Sequence, residues 1–519
     1  MKQLLSPAKA VRCALVALFL AITGCSTPEN GRTTTALDLL TPQHSAPPQK
    51  TSDSQPEKVT ESARTGERLS PTTASSTTTP YAESKSELYQ IDLPTALRLA
   101  SAQNYKIAIA TERIAEASAQ LDQSKALVLP ALTVGASYNH HEGPIQETNG
   151  NVLDVNRSAR YAGLGAGAAG AGTVQFPGVS LTIDLADAFF EPLAARQNSL
   201  AAKAGAAAVT NQVLLDVCIA YYELVHAKAA LAIAEETYQN ASYLAGLTET
   251  FAKTGEGLES DAERAAVEQL LRERNFEKAR EAFRVQSVRL AEMLHLDSEV
   301  QLDPADTNVV PIHIVQADRS LNELIETAML NHPQVKQQQA LADRAFERFR
   351  QAKNGPLIPN LALNFSAGRF DGESGDSGGR SDYDALLYWR FYFGDEARTR
   401  EQHSRYRQAR LERLAAADRV ASEVAESYAR IEALQKQLAP SASAIERASR
   451  SLQLNRARIY EKQGLPIEVL QAIQSLETTR RLYLDTVIDY NQAQFRLYTA
   501  LGQPPSEAIS STTKSSIAE

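Results

Sequence analysis

The chain is poor in the residues that most chemistry requires. Among 519 residues there are three cysteines, three methionines and one tryptophan. So few cysteines exclude a disulfide framework, and so few methionines leave no methionine-rich path for copper. Positive charge is also short. Lys and Arg number 53 against 62 Asp and Glu, a net charge of −9, and that balance argues against a nucleic-acid partner. No nucleophile–base constellation is visible, so no catalytic residue is assigned and no enzyme is expected. Proline is missing between Pro192 and Pro304, which leaves that stretch free to form very long helices.

The N-terminus reads as an export signal. Lys2, Lys9 and Arg12 precede the apolar run Cys13 to Ile22, which is too short to cross a bilayer as a helix. Ile22-Thr23-Gly24-Cys25 follows and resembles a bacterial lipobox, which implies cleavage after residue 24 and a covalent lipid such as palmitate on Cys25. Ser26 in place of aspartate favours the outer membrane by the same resemblance. Cleavage removes three positive charges and no negative ones, taking −9 to −12. Cys218 is then the remaining thiol, and its helical setting makes it a small buried apolar residue. Residues 25–87, rich in Ser, Thr, Pro and Gln, bury too little to offset ordering and are expected to be a disordered tether.

From there the chain comes back on itself. Ile91 to Leu132 reappears as Ser320 to Leu361 at an offset of 228 residues, slipping by one just before the proline. Each copy has an apolar helix start, Leu93, Ala96, Leu97, Ala100 against Leu321, Leu324, Ile325, Ala328. Each then passes a breaker pair, a Gln-x-Lys, a proline and a strand-like run. Such a repeat implies two similar halves. The first is expected over 88–303, with strands near 131–141 and 173–185 and a helical hairpin over 187–296. A linker spans 304–319. The second half covers 320–502, with strands near 360–370 and 383–393 and a hairpin over 395–501, and 503–519 is an expected disordered tail. Loops are expected between the paired strands, near 142–172 and 371–382. The first long helix carries two apolar seams, Leu214, Cys218, Tyr221, Val225 and Leu215, Ile219, Tyr222, Ala229, Ile233, so it packs on both sides. The second carries Val420, Val424, Ile431, Leu434, Leu438 and is open to a kink at Pro440.

Four alternating strands of this length suit a tilted membrane strand. Lipid-facing sheet must close, and four strands cannot close alone. The fold expected is therefore mainly α with membrane β: a β-barrel shared between protomers and continuous with a long α-helical barrel. The pattern also resembles the TolC-like outer-membrane efflux protein family over about residues 88–503. The residues that carry the likeness are Leu93-x-x-Ala96-Leu97, Lys125 before Pro130, the run Gly464 to Ala472, and Tyr490 to Gly502. The resemblance implies a homotrimeric outer-membrane duct with a long periplasmic part, working with a periplasmic adaptor and an inner-membrane pump to export drugs and similar small molecules. It assigns the periplasmic tip and adaptor contact to Gly255, Gly257, Leu258, Glu259, Gly464, Leu465 and Pro466, and the pore constriction to Glu468. Read from the residues alone, each glycine is a left-handed helix end and Glu468 a solvated helix-end charge. Gln471 departs from a second acidic position of some members.

Beyond the lipid on Cys25 no cofactor or metal is expected. Gly165 to Gly170 matches a dinucleotide fingerprint by letter but lacks its strand and helix. His140-His141 has no third ligand at defensible spacing. Two other functions compete: the exit duct of a type I protein-secretion system, and a lipid-anchored coiled-coil scaffold without a pore.

Overall fold

The computed structural model describes residues 88–164 and 179–508, except 298, 307–308, 316–318, 373–374, 376 and 462. The expected signal peptide, Cys25, the tether and most of the tail lie outside the described residues, as does the glycine run 165–170.

Strand β1 (Leu88–Ile91) leads into α1 (Leu93–Gln103) and α2 (Tyr105–Ala126). Asn104 is the break between the two helices: its extended backbone ends α1, and its side chain accepts from the Lys106 amide to cap α2. Next come β2 (Ala131–Thr133), β3 (Ala136–Gln146), β4 (Val152–Leu164) and β5 (Val179–Asp184), then α3 (Leu185–Lys253) and α4 (Glu259–Met293). After β6 (Gln301–Pro304) the order helix pair, strands, long helix, return helix recurs. Its members are α5 (Leu321–Asn331), α6 (Pro333–Asn354), β7 (Asn360–Gly372), β8 (Ser377–Tyr388), α7 (Asp395–Tyr460) and α8 (Pro466–Ala500). His332-Pro333 takes the place of Asn104-Tyr105, with the His332 ring accepting from the Gln334 amide. At about 1.5 Å per residue, the 69 residues of α3 reach roughly 100 Å.

The strands differ from expectation in three places. The strand expected over 131–141 is interrupted at Val134-Gly135 and runs on to Gln146, and β4 occupies what reads as loop. The strand expected over 173–185 is the short β5, and residues 165–178 lie outside the described residues. The aromatic stretch Trp389 to Phe393 follows β8 and is not part of it. Strand β8 pairs with β7 from Tyr388 against Asn360 to Ser377 against Asp371, so the expected loop 371–382 is mostly ladder. The pairing stops where Pro359, which has no N–H, precedes β7.

Register resolves the six strands into four staves. Both β4 and β5 lie antiparallel to the same edge of β7, and both Leu164 and Val179 pair with Phe365. They lie end to end along β7 as one stave. β2 and β3 line the outer edge of this stave, and β8 lines the other edge of β7. One face carries Val179, Leu181 and Ile183 in register with Phe365, Leu363 and Leu361, which face Tyr383, Ala385 and Leu387. The opposite face carries Ser180, Thr182, Asn364 and Ser366, with Ser180 and Ser366 buried. Alternation has thus produced an apolar face and a polar one.

The helical core sits midway along α3. Leu214, Cys218, Tyr221 and Val225 are all buried, together with Leu215 and Tyr222 of the second seam, and Ile219, Ala229 and Ile233 are partly covered. Elements on both sides supply the cover: α1, α4 and β6 among others, and α8 through Leu484, Ile488 and Phe495. Helix α3 has an 18-residue window of mean hydropathy 1.4, enough by composition to cross a membrane. Packing on two sides accounts for that apolarity. Burial pushes the Cys218 thiol pKa far up, so it is inert. In α7, Val420 and Val424 are buried, Leu434 and Leu438 half-buried, and the helix continues through Pro440.

The sequence reading did not anticipate how the linker is held. β1 and β6 form a parallel two-stranded ladder. Tyr221 Oη donates to Asp306 Oδ2 at 2.7 Å, and Lys228 pairs with Asp303 at 2.6 Å. Two buried amides on α8 then bind the linker backbone as a neighbouring strand would. Asn491 accepts from the Ile312 N–H at 2.9 Å and donates to the Val310 carbonyl at 2.9 Å, and Gln494 accepts from the Ile314 and Val315 amides. The start of the expected tail is ordered: residues 505–508 are helical, and Ala508 is buried in the main core.

Removing a partner strands buried backbone groups at about 1–3 kcal/mol each. The double change Asn491→Ala, Gln494→Ala is therefore expected to free the linker. Limited trypsin digestion should then cut after the exposed Arg319 much faster than in the parent chain.

Candidate functional site at the turns of the long helices

Each long helix ends in the same hydrogen-bonded turn. At the end of α3 the Phe251 carbonyl accepts from the Glu256 and Gly257 amides, each at 2.9 Å. At the end of α7 the Arg458 carbonyl accepts from Gln463 at 2.9 Å and Gly464 at 3.1 Å. Leu258 and Leu465 follow in extended conformation and start α4 and α8, with Glu259 and Pro466 as the first helical residues. Proline suits that position because its missing N–H has no intrahelical partner there.

The glycines differ from the left-handed helix ends the sequence suggests. Gly255 alone of the three has a left-handed backbone, with φ of +74°. Gly257 and Gly464 are required for space. A β-carbon on Gly257 falls 3.0 Å from Phe251 Cβ, and one on Gly464 falls 3.1 Å from both Arg458 Cβ and the Ile459 nitrogen. Each glycine allows the returning chain to lie against the last turn of the helix it has just left.

The two turns meet. Phe251, Gly257, Leu258, Ile459, Gly464, Leu465 and Pro466 line one cavity of about 210 Å³. Below it α3, α7 and α8 pack through Leu244, Leu452, Ile459, Val469 and Ile473. Leu258 and Leu465 nonetheless leave 68% and 60% of their surfaces exposed, an arrangement that presents two apolar side chains at the end of the helices. Glu468 does not stand alone. Its Oε2 lies 3.1 Å from Arg458 Nη1 and accepts from the Leu465 N–H at 3.3 Å. Arg458 also donates to the Gln463 carbonyl. Glu468 therefore caps α8 and ties it to α7.

Arg458 is the residue of this turn that sequence reasoning missed. The signal was the matched spacing Phe251-x5-Gly257 and Arg458-x5-Gly464. Further up, Arg272 pairs with Glu268 and with the buried Glu477, which also meets Arg481 at 3.1 Å. Two helices, α4 and α8, are joined by charge there, and nothing in the local pattern announced it. His140 and His141 are successive residues of β3 and so point to opposite faces.

Residues 324–503 match the family described as outer membrane efflux protein. This stretch of the chain resembles that family. Its members are channels, not enzymes. No curated protein matches the sequence. Among solved structures, the outer-membrane channel OprN has a TM-score of 0.67 at 18% identity, over 80% of this chain and 90% of that one. VceC of Vibrio cholerae gives 0.62 at 17% identity, over 79% and 96%. The Campylobacter jejuni channel CmeC gives 0.63 at 15% identity, over 81% and 89%. At these identities the likeness shows the fold: a helical barrel joined to a β-barrel.

The tip geometry predicts opposite outcomes for two alanine substitutions. Gly464→Ala meets backbone and is expected to destabilise by about 1–3 kcal/mol. Gly246→Ala has no atom within 4 Å of the added carbon and is expected to stabilise α3 by up to about 1 kcal/mol. Hydrogen exchange of the amides of residues 458–468, and thermal unfolding, check both.

Proposed function

We propose that this protein is the outer-membrane exit duct of a tripartite efflux system for small molecules. In this reading three copies close one twelve-strand barrel and one helical tunnel, and the chain is lipid-anchored through Cys25. A periplasmic adaptor opens the tunnel at the tip, and an inner-membrane pump supplies the energy. The observation that carries the proposal is the four-stave sheet. Its apolar face fits lipid, its polar face fits water, and it leaves edges at β2–β3 and at β8 that only further strands can satisfy. A scaffold without a pore has no use for such a sheet.

In this reading the turns of the long helices are the docking end of the duct. Exposed Leu258 and Leu465, with Gly255 and Gly257 shaping one turn and Gly464 and Pro466 the other, form the surface that meets the adaptor, and Glu259 begins the return helix beside it. Glu468 from three copies forms a ring of carboxylates at the constriction, partly offset by its pairing with Arg458.

Electron microscopy of the full chain extracted from outer membranes is expected to show a threefold hollow tube. A solid rod or a compact monomer contradicts the duct. In planar bilayers Glu468→Gln is expected to lower the preference of the channel for cations. If Glu468 only caps α8, selectivity stays put and the sole change is lost hydrogen-exchange protection at the Leu465 amide.

A further inference from the structure

Above the apolar rows, the same face of the sheet turns basic. Four residues beyond Phe365, Arg369 of β7 lies in register with Arg160 of β4, and Arg160 in turn with Tyr138 of β3. The two arginine side chains are 66% and 70% exposed. Asp371 stands between them, its Oδ2 3.2 Å from Arg160 Nη2 and its Oδ1 3.5 Å from Arg369 Nε, and Arg369 also donates to Ser377 Oγ. One carboxylate against two guanidiniums leaves an uncompensated positive charge. Like charges directly opposite on neighbouring strands are unfavourable, and here they are held beside an exposed tyrosine.

The position on the sheet indicates what relieves that charge. From Leu361 to Arg369 is about 27 Å along the strand, or about 21 Å across a bilayer at the usual barrel tilt, close to the roughly 25 Å height of a lipid-facing band. Exposed Trp389 and Phe391 mark the other end of the band. The arginines therefore lie at headgroup level. β4 and β7 are also the two central staves, flanked by β3 and β8 of the same chain, so a neighbouring copy that pairs at the edges does not cover them.

We propose that Arg160 and Arg369 form a binding site for the phosphate groups of outer-leaflet lipid headgroups, with Tyr138 beside it at the membrane interface. Guanidinium forks match phosphate oxygens in geometry and charge. The site rests on the barrel reading above.

The test uses the purified full chain in detergent, titrated with a diphosphorylated glucosamine lipid and with its dephosphorylated form and followed by native mass spectrometry. The parent chain is expected to bind the phosphorylated form about tenfold more tightly. Arg160→Gln with Arg369→Gln removes that preference, and Asp371→Asn, which frees both guanidiniums, increases it. Each sample is also inserted into planar bilayers. A double variant that forms pores and keeps the preference overturns the site. Competition by inorganic phosphate at equal concentration overturns its assignment to lipid. If the parent chain forms no pores, the barrel reading fails and the site with it. Pores without phosphate preference remove the site alone.

Discussion

An unpaired peptide group in hydrocarbon costs several kcal/mol, so a membrane sheet has no tolerable edge. Among the described residues each chain has four staves and two open edges, one along β2–β3 and one along β8. In the proposed duct those edges pair with neighbouring copies, and closure dictates the rest. The two connections from β5 to α3 and from β8 to α7 carry the ring downward. The long helices must then pack side by side in the same circular order as the strands above them.

The helices meet that demand with apolar seams wider than one face. α3 is covered on both sides in a single chain, whereas α7 keeps Leu434 and Leu438 half-buried, as a seam does when part of its cover comes from elsewhere. Polar fastening supplies the specificity that apolar seams lack. Asn491 and Gln494 bind the linker backbone, and Arg272 with Glu477 joins α4 to α8. At the tip, Arg458 and Glu468 bind α7 to α8, a contact that the proposed opening would have to break.

The sequence revealed most where period and burial coincide. The long helices, the break at Asn104 and the paired turns were readable because apolar spacing, a cap and a glycine marked each one. The strand bounds were readable only within the band where one face is apolar and the other polar. β4 was missed because Val152 to Arg160 has both faces wet and so no alternation to read, although its ladder is complete. Trp389 to Phe393 misled for the opposite reason, since its aromatic alternation continues past the end of the ladder. At the tip, the sequence identified the glycines but not why two of them are needed, because close approach of one chain segment to another leaves no local pattern. Arg458 had one sequence signal, its place six residues before Gly464, which matches that of Phe251 before Gly257.

The most direct measurement is the accessibility of single spin labels along β7 in the full chain reconstituted into bilayers. Labels at Leu361, Leu363 and Phe365 are expected to be relaxed by oxygen, which partitions into lipid, and labels at Asn360, Asn364 and Ser366 by a water-soluble nickel chelate. That two-residue alternation, opposite in sign for the two reagents, is what a closed barrel wall requires. Equal accessibility of both sets to the chelate would place the sheet in water and contradict the account.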